Sequence, residues 1–258
     1  MQKTNPKNPM FNIIVISLAR TPERWESFQN SLGNNDWPIN RLWGVDGQNL
    51  NTRELSHLKG RGLISDSALR WPKGQIGCAL SHQLCWRSCI NSNTPTLVLE
   101  DDAILAQGWQ QKLSLAIDEL PEKYWDILLL GWNFDSCLEY EWAEKLSATL
   151  LFRPRFPTSL ELQRGLNEVK TRTWKRLRKS LGLAGYILSV EGATRLLEWS
   201  KPLRTLEIKN PELPSRSCFS LDGQLNDLYP SISAWVITPP LIVGANQKGE
   251  SLTSPNII

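Results

Sequence analysis

The run Leu97-Val-Leu-Glu-Asp-Asp102 carries an apolar strand straight into three consecutive acids. In an open α/β sheet, ligands gather beyond the carboxyl ends of the strands, so these acids stand where a binding crevice should lie. Neighbouring carboxylates repel one another, and partial burial makes them costly to ionise unless a cation or several donors compensate. A divalent cation is the natural compensator. One or two protein carboxylates suit Mg²⁺ or Mn²⁺, whose other positions take water and phosphate oxygens. A plainer reading stands beside it: acids are favoured near the N-terminus of a following helix by its dipole and free N–H groups. The chain has only two histidines, His57 and His82. It contains no H-E-x-x-H, no G-x-S-x-G, no G-x-x-x-x-G-K-[ST] and no G-x-G-x-x-G after a strand. The commonest zinc hydrolase, α/β-hydrolase, P-loop and Rossmann signatures are therefore missing. Carboxylates, hydroxyls or a hard metal must carry the chemistry.

The elements that position these acids follow from hydrophobic periodicity. Asn12 to Leu18 is a short, β-branched apolar run, as expected of a strand buried on both faces. Thr21-Pro22-Glu23 then offers a capping hydroxyl, a proline suited to the first helical position and an acid in the first turn. A helix should run from there to about Leu32, with Gly33 stopping it. Arg41 to Val45 reads as a strand ending at the Asp46-Gly47 turn, Gly74 to Ile90 as a helix, Thr96 to Leu99 as the acidic strand, and Gln107 to Glu119 as a helix. Asp126 to Leu130 and Ala184 to Ser189 read as strands, the latter feeding a helix from Val190 to Trp199. Alternating strands and helices of this length predict an α/β fold with a mostly parallel mixed sheet flanked by helices. Between Phe134 and Gly182 the pattern breaks. We expect there an excursion from the sheet, over about 134–181, carrying short helices of its own and facing the substrate.

At 258 residues the length allows one to two domains. The reading is a single domain over 10–258. Apolar residues make up 41% and charged residues 21%, with 16 Gly and 16 Pro, which excludes disorder, collagen and coiled coil. The net charge of +3 is too small for attraction to nucleic acid to lead. Five cysteines form no C-x-x-C pair, and Cys78, Cys85 and Cys89 share one helix, so they read as reduced core residues. The apolar run near the N-terminus is too short for a signal sequence or membrane span, so a cytoplasmic chain is expected, at most touching the membrane's inner face.

At the acidic triplet the chain resembles glycosyltransferase family 25, the lipooligosaccharide and collagen galactosyltransferase group. The matching pieces are Val15-Ile-Ser-Leu-Ala-Arg20 with Arg24, Gly44-Val-Asp-Gly47, Gly74-Gln-Ile-Gly-Cys-Ala-Leu-Ser-His82 with Trp86, Leu97 to Ala103, and Gly182-Leu-Ala-Gly-Tyr-Ile-Leu-Ser189 with Gly192-Ala193. They fall in family order over about two thirds of the chain, and their order makes the signal specific. The resemblance implies a GT-A-like nucleotide-sugar-binding fold and inverting transfer of a hexose, galactose or glucose, from a UDP-sugar. It also implies Mn²⁺ or Mg²⁺ at an Asp-x-Asp position, read here as Glu100-Asp101-Asp102.

Carried over residue by residue, Asp102 is the direct metal ligand, while Asp101 and Glu100 orient ribose, metal waters or the sugar. Arg20 and Arg24, just past the first strand, can meet a diphosphate or a base; as residues alone they are equally a pair of solvated helix charges. Asp46 can accept hydrogen bonds from uracil or ribose, or simply serve its turn. His82 and Ser81 belong to the site framework, although a histidine on an apolar helix is more often a satisfied core group. Gly74, Gly77 and Cys78 permit close backbone approach, or mark a helix start after Pro72. Inversion needs a general base on the face opposite the leaving diphosphate. Asp222 is that candidate, Asp227 the runner-up, and an N-cap role for Asp222 competes. One departure is that no histidine follows position 82, whereas many GT-A enzymes take a further metal ligand from a C-terminal histidine. The tail from Pro239 to Ser254 can supply oxygen ligands instead.

Arg164, Lys170, Arg172, Lys175, Arg176, Arg178 and Lys179 face a single acid, Glu168, with Trp174, Leu177 and Leu181 interleaved. This basic segment, 164–179, can meet an anionic acceptor or membrane headgroups, or be a solvated helix face. The expected partners are thus a UDP-sugar donor, a glycan or lipid-linked acceptor of the cell envelope, and a peripheral membrane surface. The alternatives are a non-catalytic nucleotide-sugar or glycan binder of the same fold and an RNA-binding module.

Overall fold

The computed structural model describes residues 11–33, 37–134, 136–152, 157–210 and 213–245. In chain order these form β1 (Asn12–Ser17), α1 (Pro22–Ser31), β2 (Asn40–Trp43), α2 (Thr52–Gly60), α3 (Lys73–Ser92), β3 (Thr96–Glu100), β4 (Ala103–Leu105) and α4 (Trp109–Asp118). There follow β5 (Ile127–Leu129), β6 (Cys137–Ala143), β7 (Leu146–Leu151), α5 (Ser159–Glu168), β8 (Thr173–Ser180), β9 (Gly185–Leu188) and α6 (Val190–Trp199). The chain closes with β10 (Leu206–Asn210), β11 (Leu213–Cys218), α7 (Leu221–Leu225), β12 (Ala234–Thr238) and β13 (Ile242–Gly244).

A nine-stranded mixed sheet of order β2-β1-β3-β9-β5-β12-β8-β6-β7 forms the backbone of the fold. Only β9, β8 and β7 run against the others. Successive strand residues alternate between two apolar layers, the signature of a sheet covered on both faces. Ile13, Val15, Leu97, Leu99, Leu128, Ile187 and Trp235 pack on one side; Ile14, Val98, Ile127, Leu129, Tyr186 and Val236 pack on the other. β4 and β13 pair separately, antiparallel, just past the end of β3.

The excursion expected over 134–181 does not leave the sheet. It supplies β6, β7 and β8 as the sheet's far edge, with α5 as its one helix among the described residues. Trp174 and Leu177 are not the apolar face of an exposed helix. They are buried strand residues, because β8 is clasped between β12 and β6. Several of the basic charges are spent internally. Arg178 and Lys179 pair with Glu141 and Glu139 at 2.6 and 2.7 Å. Arg176 donates to Ser233 Oγ and the Ile232 carbonyl, and Arg172 to the carbonyls of Leu166, Val169 and Pro240. No helix among the described residues is long and apolar enough to cross a membrane.

The α3 start is fixed by close backbone approach. A Cβ on Gly77 would lie 2.4 Å from the Val45 carbonyl oxygen and 2.8 Å from Gly47 N, both main chain and unable to yield. This contact presses the loop after β2 onto the helix. Gly77→Ala should therefore destabilise the protein by about 1–3 kcal/mol, seen as a lower urea midpoint at unchanged slope.

Candidate functional site

A cleft of about 860 Å³ opens at the carboxyl ends of β1, β2 and β3. Arg24, Asp46, Ser81, His82, Glu100, Asp101, Asp102 and Asp222 line it, as do Gly74 and Cys78; Arg20 pairs with Asp46 at its rim, while Gly77 and Asp227 are not among its lining residues. β3 ends at Glu100, and the main chain then threads between neighbours: Glu100 N donates to the Ala184 carbonyl and Asp101 N to that of Ile16. The three acids are thereby fixed on backbone anchored to β1 and to the segment leading into β9.

Each acid has a distinct environment. Asp101 is buried, and burial raises its pKa, with Arg24 opposing. Asp102 is pushed up to about 6, first by burial and then by the charge of Glu100, again with Arg24 opposing. Glu100 goes the other way. Burial raises it, but the hydrogen bond from His82, together with Arg24, outweighs burial and holds it below the usual carboxylate range.

Arg24 Nη2 spans the pair, 3.0 Å from Asp101 Oδ1 and 2.8 Å from Asp102 Oδ2. Their other oxygens, Asp101 Oδ2 and Asp102 Oδ1, are buried and accept no hydrogen bond from any described group. Buried carboxylate oxygens without a partner are costly, so this corner can take a cation, donors or a proton. An all-oxygen donor set of this kind fits Mg²⁺ or Mn²⁺. Asp102 Oδ1 and Asp101 Oδ2 are the oxygens that would meet such an ion. Whether the tail adds a ligand falls outside the described residues from position 246 onward.

His82 is not a free base. Cys78, His82 and Trp86 recur every four residues and so lie on one stripe of α3. Trp86 Nε1 donates to Tyr186 Oη at 2.9 Å, and Tyr186 Oη lies 2.7 Å from His82 Nδ1. His82 Nε2 lies 3.2 Å from Glu100 Oε1. An indole only donates, so the phenol accepts from Trp86 and gives its own proton to His82 Nδ1. Nε2 then carries the imidazole proton and donates it to Glu100. The chain Trp86, Tyr186, His82, Glu100 aims one carboxylate, and all but its last member are fully buried. Tyr186 and Trp86 lie in stretches that match the family, yet nothing in their spacing signals this bonding.

Ser81 serves the framework: its hydroxyl accepts from Val45 N at 2.8 Å and donates to the Gly77 carbonyl at 2.7 Å. Arg20 Nε pairs with Asp46 Oδ2 at 2.8 Å, while Asp46 Oδ1 accepts from Gln48 N as the cap of a short 3₁₀ turn. Asp222 lies across the cleft in the first turn of α7, whose N-cap is Ser220. Its Oδ2 accepts from Gly182 N at 2.7 Å and its Oδ1 from Gly223 N at 2.9 Å. Gly182 turns at φ +97°, a conformation that suits glycine, and so aims its N–H at this carboxylate. Asn133, Gln163 and Leu160 also line the cleft and had no sequence signal.

The model of "Glycosyltransferase family 25 (LPS biosynthesis protein)" matches residues 10–210. The chain belongs to glycosyltransferase family 25. Among family members, the human "Procollagen galactosyltransferase 2" is 26% identical over 192 residues, 72% of this chain and 27% of that one. The zebrafish (Danio rerio) "Procollagen galactosyltransferase 1" is 25% identical over 213 residues, 80% of this chain and 31% of that one. A rat (Rattus norvegicus) protein named "Probable inactive glycosyltransferase 25 family member 3" is 33% identical over 138 residues, 49% of this chain and 24% of that one. The chain thus spans about a quarter to a third of the length of these family 25 relatives.

Proposed function

We propose that this family 25 chain transfers a hexose, galactose or glucose, from a UDP-sugar to a glycan acceptor of the cell envelope, with inversion and with Mn²⁺ or Mg²⁺. The observation that carries this reading is the pair of buried, unpartnered oxygens, Asp101 Oδ2 and Asp102 Oδ1, in the same cleft as Asp222. Asp102 would hold the cation, which when bound stabilises charge on a departing diphosphate. Arg24 adds a positive charge beside the same corner, and Arg20 with Asp46 forms a paired rim above the β2 turn. Glu100, held ionised by His82, accepts hydrogen bonds from donor hydroxyls.

Asp222 serves as the base. Each of its oxygens takes one N–H bond and keeps a second lone pair, which can receive the acceptor hydroxyl's proton as that oxygen attacks the sugar from the face opposite the diphosphate. The second reading, a binder without turnover, is favoured by relatives whose names call them inactive. One assay separates the two: UDP release from UDP-galactose and UDP-glucose with and without Mn²⁺. Slow Mn²⁺-dependent release supports the transferase, and UDP binding with no release supports the binder.

The raised pKa of Asp102 makes the reading pH-sensitive. A cation must displace the Asp102 proton, so affinity for Mn²⁺-UDP should fall as pH drops through about 6, well above the range of an ordinary aspartate near 4. Calorimetric affinities between about pH 5 and about 7.5 check this; an affinity flat across that range would contradict it.

A further inference from the structure

Cys78 is a half-buried thiol on the cleft wall that the proposed transfer does not use. Its Sγ lies 4.0 Å from Glu100 Oε1, which is itself 3.2 Å from His82 Nε2. The three atoms all lie within 4.8 Å of one another. Around a tetrahedral zinc ion with bonds of about 2.0–2.3 Å, ligand atoms stand roughly 3.3–3.6 Å apart, so closure needs the sulfur to move inward by up to about 1.2 Å, within reach of a χ1 adjustment of Cys78. We infer that Cys78, His82 and Glu100 form a site for a thiophilic divalent cation such as Zn²⁺, separate from the all-oxygen corner at Asp101 and Asp102.

The chemistry of the two places differs as the two ion classes differ. Thiolate and imidazole select zinc, whereas carboxylate oxygens alone select magnesium or manganese. Three protein ligands leave a fourth position facing the cleft, open to water or a ligand oxygen. The second-sphere partner is in place, although it must reverse its role, with Tyr186 Oη turning from donor to acceptor at Nδ1. Tyr186 Oη sits 2.7 Å from His82 Nδ1, the nitrogen that must carry the proton once Nε2 binds a metal. Binding then releases one proton from the Cys78 thiol, and the imidazole proton moves from Nε2 to Nδ1. Burial and the charge of Glu100 hold that thiol protonated without a cation, so the site is a neutral cysteine until an ion arrives. An ion here engages Glu100. On the proposed transfer reading, zinc would therefore inhibit, a consequence that rests on that reading while the binding itself does not.

The test uses the reduced, chelator-treated full chain titrated with Co²⁺, whose thiolate complexes absorb in the near ultraviolet. One equivalent should produce the thiolate band, and Zn²⁺ should bleach it. The band should vanish in Cys78→Ser and persist in Cys137→Ser. Tyr186→Phe, which leaves all three ligands in place, should weaken Zn²⁺ binding about 10–100-fold. A thermal midpoint raised by Zn²⁺ in the wild type but not in Cys78→Ser gives a second readout. Should Cys78→Ser not fold, Glu100→Gln takes its place and should lower Zn²⁺ affinity at least about tenfold. Absence of a thiolate band, or its survival in Cys78→Ser, would overturn the inference. Neither result bears on Mn²⁺-UDP binding, which Asp102 governs.

Discussion

Asp102→Asn is expected to weaken Mn²⁺-dependent binding of UDP at least a hundredfold. Losing a partner outside the ligand set costs about 10–100-fold in metal affinity, and loss of a ligand's charge should cost no less. Asparagine keeps the shape and one oxygen but removes the anion from a corner where Asp102 Oδ1 is buried without a partner. Stability gives an internal control. The folded-state pKa of Asp102 lies above its ordinary value, so this group favours the fold at low pH and costs stability as pH rises through about 6. Replacing it with a neutral residue should leave the thermal midpoint at pH 7 unharmed, with Arg24 still paired to Asp101. Loss of affinity with an intact melt would mark Asp102 as a ligand; calorimetric affinity equal to wild type would remove it.

Asp222→Asn should have the opposite profile, with donor binding retained and transfer lowered about 10²–10⁴-fold, the usual range for a positioned base. The substitution has a structural side, because both Asp222 oxygens accept main-chain N–H groups. The amide can accept from only one of Gly182 N and Gly223 N, so the other loses its partner at a cost of about 1–3 kcal/mol. A lower melting point is thus expected and does not by itself decide the role. The decisive comparison is UDP affinity against turnover on one preparation. Affinity near wild type with turnover gone identifies a base, whereas a parallel loss of both identifies a strut for the Gly182 turn.

The site was legible where chemistry is written in consecutive residues, and much less so where it depends on distant chain segments. The strand ending in Glu100-Asp101-Asp102, the helix carrying His82 and the strand-to-helix passage at Ser189 all follow local periodicity and capping, and the structure has them within a few residues of expectation. The hydroxyl of Ser189 even accepts from Gly192 N as a cap should. By contrast, Thr21 precedes its helix without making a side-chain cap bond. The segment 134–181 misled because β6, β7 and β8 lie at the sheet's far edge. Strands with an exposed face can be polar, and the run Lys175-Arg176-Leu177-Arg178-Lys179 on β8, with Trp174 and Leu177 three apart, imitates a charged amphipathic helix. Only pairing with β12 and β6, distant in sequence, reveals the strand. The same limit hid the Trp86, Tyr186, His82, Glu100 chain, which joins residues a hundred positions apart. It also hid the bond between Arg24 and two of the acids, since spacing shows that an arginine is near a strand end but not which charge it meets.

The most direct test is diffraction from crystals grown with MnCl₂ and UDP, collected so that manganese gives an anomalous signal. The account predicts one strong peak bonded to the Asp102 carboxylate and touching both phosphates of UDP. A peak held by other residues, or bound UDP with no manganese at that corner, would contradict it.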